Sequence, residues 1–195
     1  LARLILGSSS PRRRELLHLL RVSFEVIPPK GVEENLSERF CEKELCELSH
    51  LKAKNVMLRN PFSTVIAADT VVVLDGLVLG KPSSVEEAYE MLLVLSGRTH
   101  SVFTSVSVMY EESEFSFVEK TDVTFREVPS EVLKEYAESG LSLDKAGAYG
   151  IQDYGALFVK SIAGDFYNVM GLPIGRLWHE LHARGGIRIG RPDNA

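Results

Sequence analysis

The chain has 195 residues, 45% hydrophobic and 25% charged, a balance that supports one folded domain whose core needs no disulfide or metal staple. Its formal charge of −5 excludes the broad positive surface of a protein that wraps nucleic acid. No apolar run reaches the length of a membrane span, and the longest is broken by Asp69, so no membrane partner is expected. Cys41 and Cys46 lack a CxxC pattern and any histidine at metal-binding spacing, and read as free thiols in a reducing, cytoplasmic compartment. The start at Leu1, without an initiator Met, suggests a trimmed N-terminus that could have lost a targeting segment.

Leu4-Ile5-Leu6 predicts a strand, and Gly7-Ser8-Ser9-Ser10-Pro11 a loop that enters a helix, with Ser10 as N-cap and Pro11 at the first helical position. Leu16, Leu17, Leu19 and Leu20 supply that helix with a buried stripe. Phe24 to Ile27 reads as a short strand ended by Pro28-Pro29, and Glu38 to Arg59 as a helix with Leu45, Leu48, Leu51 and Val56 among its apolar positions. Thr64 to Leu74 is a strongly apolar strand, and Asp75-Gly76 turns it into Leu77-Val78-Leu79. A helix capped by Ser83 or Ser84 runs to Leu95. His100 to Tyr110 and Phe115 to Phe125 alternate and should pair as a long hairpin. Pro129 to Ser139 is helical, Gly147 to Gln152 a loop, Ala156 to Ile162 a strand and Pro173 to Ala183 the closing helix. Residues 1–184 thus form one domain, and 185–195 a tail without apolar pattern that is expected to fray. Interleaved strands and helices with a long central hairpin indicate an α/β (mixed α+β) fold with a mixed sheet and a cleft.

Two local anomalies carry chemical information. Arg12-Arg13-Arg14 occupy the first helical turn, where the helix dipole disfavours each cation by about 0.3–1 kcal/mol. An anion that accepts the free amides of the serine-rich loop and the guanidinium protons would relieve that conflict, which points to phosphate. Asp69 lies within Val65-Ile66-Ala67-Ala68-Asp69-Thr70-Val71-Val72-Val73, where an ionised carboxylate needs a cation, a metal or several donors. A metal ligand or general base at a cleft edge satisfies that need. Glu33-Glu34, after the proline break, could complete a magnesium site; Lys81 sits in a constrained Gly80-Lys81-Pro82 turn; and only one of Lys52 and Lys54 should point inward. His50, His100 and His179 read as packing or surface residues, and no GxxxxGK[ST] phosphate loop is present.

Several ordered segments together resemble the Maf family across residues 3–184. They are Ser8-Ser9-Ser10-Pro11-Arg12-Arg13-Arg14-Glu15-Leu16-Leu17, Ala68-Asp69-Thr70, Leu79-Gly80-Lys81-Pro82, Leu95-Ser96-Gly97-Arg98-Thr99-His100-Ser101-Val102, Asp144-Lys145-Ala146-Gly147-Ala148-Tyr149-Gly150-Ile151-Gln152 and Gly164-Asp165-Phe166-Tyr167-Asn168-Val169-Met170-Gly171-Leu172-Pro173. The resemblance implies a two-lobed fold like that of the inosine triphosphate pyrophosphatases, a homodimer, and hydrolysis of a nucleoside triphosphate to the monophosphate and pyrophosphate with Mg²⁺ or Mn²⁺. Carried over onto matching positions, Ser8, Arg12 and Arg13 belong to the phosphate-binding loop. Glu33, Lys52, Asp69 and Lys81 belong to the catalytic and metal-binding cluster: Asp69 is proton acceptor and metal ligand, and Glu33 is a second metal ligand.

A branch of that family acting on 7-methyl-GTP typically has Trp and Gln at the positions of Arg12 and Thr70. The dTTP/UTP branch has Arg, Thr and Gln at the positions of Arg12, Thr70 and Gln152, as does this chain. Ser9, where many members have Ala or Gln, is a small departure. The amide of Gln152 offers both a donor and an acceptor to a uracil or thymine edge. The expectation is therefore a dTTP and UTP pyrophosphatase acting on canonical or modified pyrimidine nucleotides, in nucleotide-pool cleaning or cell division arrest. The competing reading is a nucleotide-binding regulator of cell division without catalysis. The electrostatic idea beneath the first reading requires Arg12 and Asp69 to share a pocket.

Overall fold

A computed structural model describes residues 3–110 and 113–184. The expected tail, 185–195, lies outside the described residues. Strand β1 (Arg3–Leu6) leads into helix α1 (Pro11–His18), β2 (Glu25–Val26), α2 (Glu42–Met57), β3 (Ser63–Leu74) and β4 (Leu77–Leu79). There follow α3 (Val85–Leu95), β5 (Thr99–Tyr110), β6 (Ser113–Phe125), α4 (Ser130–Glu138), β7 (Val159–Ala163), α5 (Phe166–Met170) and α6 (Ile174–Ala183). The strands form a single mixed sheet in the order β2-β1-β3-β5-β6-β7, with β4 added beside β3. β2 and β3 run parallel to β1, whereas the β3–β5, β5–β6 and β6–β7 pairs are antiparallel. The mixed α/β architecture and the long hairpin of β5 and β6 are as expected.

Consecutive strand residues point to opposite faces, and β3 divides its side chains accordingly. Ile66, Ala68, Val72 and Leu74 enter the main core with Leu16 and Leu17 of α1, Leu92 of α3, Leu133 of α4 and Leu177 of α6. Val65 and Ala67 meet Ala53 and Val56 of α2 on the other face, and Val71 and Val73 meet Leu45. The long hairpin carries the sheet away from β1, and the helices cover both of its faces.

One gap in the sheet matters for function. Along one edge of β3, β1 pairs with Ser63 to Ile66 and β4 with Val72 to Leu74. Ala67 to Val71 have neither neighbour there, although their other edge is paired with β5 throughout. The loop after β1 turns away at this point, tied by the Gly7 amide to the Ile66 carbonyl at 2.7 Å.

Some expected boundaries move for identifiable reasons. The second helix starts at Glu42, because residues 38–40 are extended beside β4, with Val78 N donating to the Glu38 carbonyl at 2.8 Å and Phe40 N to the Gly76 carbonyl at 2.9 Å. α1 ends at His18, which leaves Leu19 outside the stripe and exposed, and Leu51 of α2 also faces solvent. In place of a strand from Ala156, a 3₁₀ turn occupies Tyr154–Phe158 and the strand begins at Val159. Gly155 there packs against the Gly150 carbonyl so closely that a Cβ would come within 2.7 Å of it. The short helix α5, capped by Asp165 on Tyr167 N, was not expected from apolar periodicity. Cys41 and Cys46 are free thiols, as expected.

Candidate active site

A cleft of about 250 Å³ opens at the gap beside β3. Ser8, Ser9, Ser10, Arg12 and Arg13 line one side of it, and Asp69, Thr70, Lys52, Glu34 and Lys81 another. Lys145, Tyr149 and Gln152 close a third, with Gly171 nearby. Arg12 and Asp69 thus share one pocket. Ser10 caps α1 as expected, accepting from Arg13 N at 3.4 Å, and Ser8 Oγ accepts from Ser10 N at 3.1 Å.

Position along α2 decides which lysine enters. Leu45, Leu48, Ser49, Lys52, Ala53 and Val56 repeat at helical spacing and are all buried, so Lys52 rides the inward stripe, whereas Lys54 is exposed. Asp69 leaves β3 on that same face. The Lys52 ammonium donates to Asp69 Oδ2 and to Glu34 Oε1, the latter at 2.6 Å. The second Asp69 oxygen, Oδ1, accepts from Thr70 N at 3.0 Å, and Lys81 Nζ stands 3.4 Å from Glu34 Oε2. The buried carboxylate that the apolar strand made anomalous is thereby compensated by a buried ammonium. Burial alone would raise the Glu34 pKa; the hydrogen bond and charge of Lys52, with Lys81 behind it, hold that carboxyl below the usual range.

Thr70, the next residue, leaves β3 on the opposite face and meets Arg13. Arg13 donates through Nη2 to Thr70 Oγ1 at 3.0 Å and through Nε to the Gly171 carbonyl at 2.8 Å. Thr70 Oγ1 and Thr104 Oγ1 lie 2.9 Å apart, and Thr104 donates onward to the Asn168 carbonyl at 3.1 Å. Burial draws the Arg13 guanidinium below its ordinary pKa, opposed by the charges of Asp69 and Glu34. Arg12 turns to the third wall and holds Asp144 by Nη1 to Oδ2 at 2.7 Å, while Arg14 is exposed. The triple-arginine turn therefore splits into two anchored cations in the cleft and one in solvent.

Glu33, which the resemblance named as a second metal ligand, stands apart from the carboxylate–ammonium cluster. Glu33 is exposed and accepts from its own neighbour Asn35 at 2.9 Å, while Glu34 is the member of the pair that meets Lys52. Sequence reasoning also gave no role to Asp144, Lys145 or Tyr149. Their signal was the Asp144-Lys145-Ala146-Gly147-Ala148-Tyr149-Gly150-Ile151-Gln152 segment of the family resemblance, which assigned none of the three a part in the site. His100 is a packing residue as expected: its Nε2 shares a 2.7 Å hydrogen bond with the Tyr149 hydroxyl, and burial lowers its pKa to about 4 against the pull of Asp122.

Chemically, the cleft brings the guanidinium groups and serine-loop donors of one wall against a carboxylate–ammonium cluster on another. Among the described residues no group of three or more His, Cys, Asp or Glu could hold a metal alone. A magnesium ion that takes one or two carboxylates and completes its shell with phosphate oxygens and water fits Asp69 and Glu34 as donors. Among the described residues, too, no helix is long and apolar enough to cross a membrane.

Comparison with known proteins identifies what the chain is similar to. A dTTP/UTP pyrophosphatase of Thermotoga maritima is 49% identical over 189 residues, covering 96% of this chain and 92% of that protein. Another from Carboxydothermus hydrogenoformans is 49% identical over 185 residues, covering 94% of this chain and 99% of that one. Among solved structures, a HAM1 protein from Coxiella burnetii aligns over 94% of this chain and 100% of its own with a TM-score of 0.52 at 15% identity, a likeness of fold. The family description "Maf-like protein" matches residues 3–184, and the chain belongs to that family.

Proposed function

We propose that the protein is a nucleoside triphosphate pyrophosphatase that hydrolyses dTTP and UTP to the monophosphate and pyrophosphate. The observation that carries this reading is the facing of Arg12, Arg13 and the Ser8–Ser10 loop against the Asp69–Lys52–Glu34 cluster across one cleft. Relatives nearly half identical along almost the whole chain carry the name dTTP/UTP pyrophosphatase, which supports the same activity and substrates here.

In this mechanism Arg13, Lys81 and the loop amides neutralise the polyphosphate and the charge that develops on the leaving group. Water attacks the α phosphorus in line, the bond from that phosphorus to the α–β bridging oxygen breaks, and pyrophosphate departs. Asp69 accepts the proton of the attacking water, and the hydrogen bond from Lys52 holds the Asp69 carboxylate in place. Glu34 shares Lys52 and draws Lys81 toward the site. A divalent cation held by Asp69 and Glu34 would supply charge neutralisation at the phosphates. Gln152 stands at the cleft wall, where its amide can meet the pyrimidine edge. A cytoplasmic homodimer accompanies this reading on the strength of the family resemblance.

Pyrophosphate release from dTTP, UTP, CTP, dATP and GTP, with Mg²⁺ or Mn²⁺ and again with EDTA, tests the whole proposal. The expected result is fastest release from dTTP and UTP, with EDTA abolishing it. Binding of dTTP without release would favour the non-catalytic regulator, and orthophosphate as the product would refute cleavage at the α–β bridge.

A further inference from the structure

A chain of alternating charges joins two walls of the cleft. Arg12, on the first turn of α1, holds Asp144 twice, through Nη1 to Oδ2 at 2.7 Å and through Nη2 to the main-chain carbonyl at 3.1 Å. The other Asp144 oxygen, Oδ1, accepts from Lys145 Nζ at 2.7 Å. The same ammonium donates to the Leu141 carbonyl and stands 3.4 Å from Asp153 Oδ2. Asp153 Oδ1 then accepts from the Tyr136 hydroxyl at 3.1 Å and from Gly155 N at 3.0 Å, and the Tyr136 oxygen accepts from Gly150 N at 3.2 Å.

This chain is built to hold its shape. Lys145 is 8% exposed, and its ammonium faces two carboxylates and a carbonyl, partners enough for its protons. Such a buried cation stays put, because losing one partner would leave charge uncompensated. Gly150 lies against the Lys145–Asp153 pair, and a Cβ there would come within 2.6 Å of Lys145 Cε. Tyr136 and Tyr149 anchor the same loop into an edge-to-face aromatic group with Phe125 and Phe158. Gln152 lies between Gly150 and Asp153, so both sides of its position are clamped.

We propose that Asp144 is a positioning residue for base selection, joining Arg12 at the phosphate end to Lys145 and Asp153, which fix the loop that presents Gln152. The inference rests on the pyrimidine triphosphate reading given above. Arg12 answers both to Asp144 and to an incoming polyphosphate, so the two ends of the substrate are sensed together. None of the Asp144, Lys145 or Asp153 side chains needs to touch the base for this to hold.

Steady-state kcat and KM for dTTP, UTP and CTP, in the wild type and in Asp144→Asn, Asp153→Asn and Asp144→Glu, test the idea, with the two Asn variants repeated in a Gln152→Ala background. Each Asn variant should lower the preference for dTTP over CTP in kcat/KM by roughly fivefold or more, the lower range of coupling between two sites. The loss should appear mainly in the KM for dTTP, and Asp144→Glu, which keeps the charge, should recover part of it. In the Gln152→Ala background the same changes should alter preference by less than about twofold, because interacting positions do not add. Equal effects on all nucleotides, equal preference losses in both backgrounds, or a wild-type preference in Gln152→Ala alone would each overturn the proposal. If Asp144→Asn does not fold, Asp153→Asn makes the same test from the far end of the chain. A wild-type protein that releases no pyrophosphate refutes the proposed activity; an active wild type with unaltered variants refutes only the positioning role.

Discussion

Asp69 and Thr70 are neighbours on β3 whose side chains part to opposite faces of the sheet, Asp69 to Lys52 of α2 and Thr70 to Arg13 of α1. One dipeptide therefore joins the carboxylate cluster to the arginine-bearing first turn of α1. It can do so because it lies in the gap between β1 and β4, where one edge of β3 is open.

Asp69→Asn should abolish most turnover while the fold survives, since Glu34 still meets the Lys52 ammonium. Loss of a positioned general base lowers the rate by roughly a hundredfold to ten-thousandfold. Pyrophosphate release by the purified variant, with circular dichroism to confirm folding, checks this; near-native hydrolysis would remove Asp69 from the mechanism.

Lys52→Met should damage stability as well as activity. It leaves the Asp69 and Glu34 carboxylates without their shared cation, and removing one partner of a buried pair costs about 3–5 kcal/mol. The half-exposed Glu34 end recovers some of that through water, so the lower part of the range is expected in urea denaturation.

Arg13→Lys should not be conservative. Arg13 reaches Thr70 and the Gly171 carbonyl with different nitrogens of one planar group, which a single ammonium cannot reproduce. A fall in kcat/KM of roughly tenfold or more is expected, and an unchanged value would show that the guanidinium geometry is irrelevant.

His100 should make stability depend on pH. Its pKa is lowered from 6.5 to about 4 in the folded protein, chiefly by burial, so the unfolded chain gains a proton first as pH falls. Its contribution is full above the unfolded value of 6.5 and is lost progressively as pH drops toward about 4. Between pH 7 and 5 the loss should be about 2 kcal/mol. Urea denaturation at both pH values should show this in the wild type, and a much smaller difference in His100→Gln.

Gly147→Ala should destabilise the cleft wall. The residue has φ +67°, and an added Cβ would come within 2.8 Å of a Val72 methyl on β3. A loss of roughly 1–3 kcal/mol is expected from the backbone conformation alone, measurable as a lower midpoint of thermal unfolding, and an unshifted midpoint would contradict it.

Local chemistry was readable from single segments. Ser10 and Pro11 marked the start of α1, Asp75-Gly76 marked the β3–β4 turn, and the anomalous placement of Arg12, Arg13 and Asp69 announced charges awaiting partners. Which of Lys52 and Lys54 enters the cleft was left open, because the apolar positions read along α2 included Leu51, which faces solvent, and the packing of the helix put Lys52 inward. The choice between Glu33 and Glu34 was not readable, because adjacent loop residues carry no periodicity that assigns a face. The same holds for α5, whose five residues are too few for a stripe and which is set by Asp165 and by its packing.

The amino-acid sequence by itself determined the order of the elements apart from α5, the arginine-rich first turn of α1 and the acid on β3, because capping, turn chemistry and strand alternation act over a few residues. Tertiary structure alone decided that β1 and β4 leave a gap on one edge of β3, that Glu34 takes the place beside Lys52, and that Asp144 spans from Arg12 to Lys145. Those outcomes depend on contacts between residues far apart in the chain, 132 positions in the case of Arg12 and Asp144. Only the packing of the whole sheet selects which of several available charges a buried ion will meet.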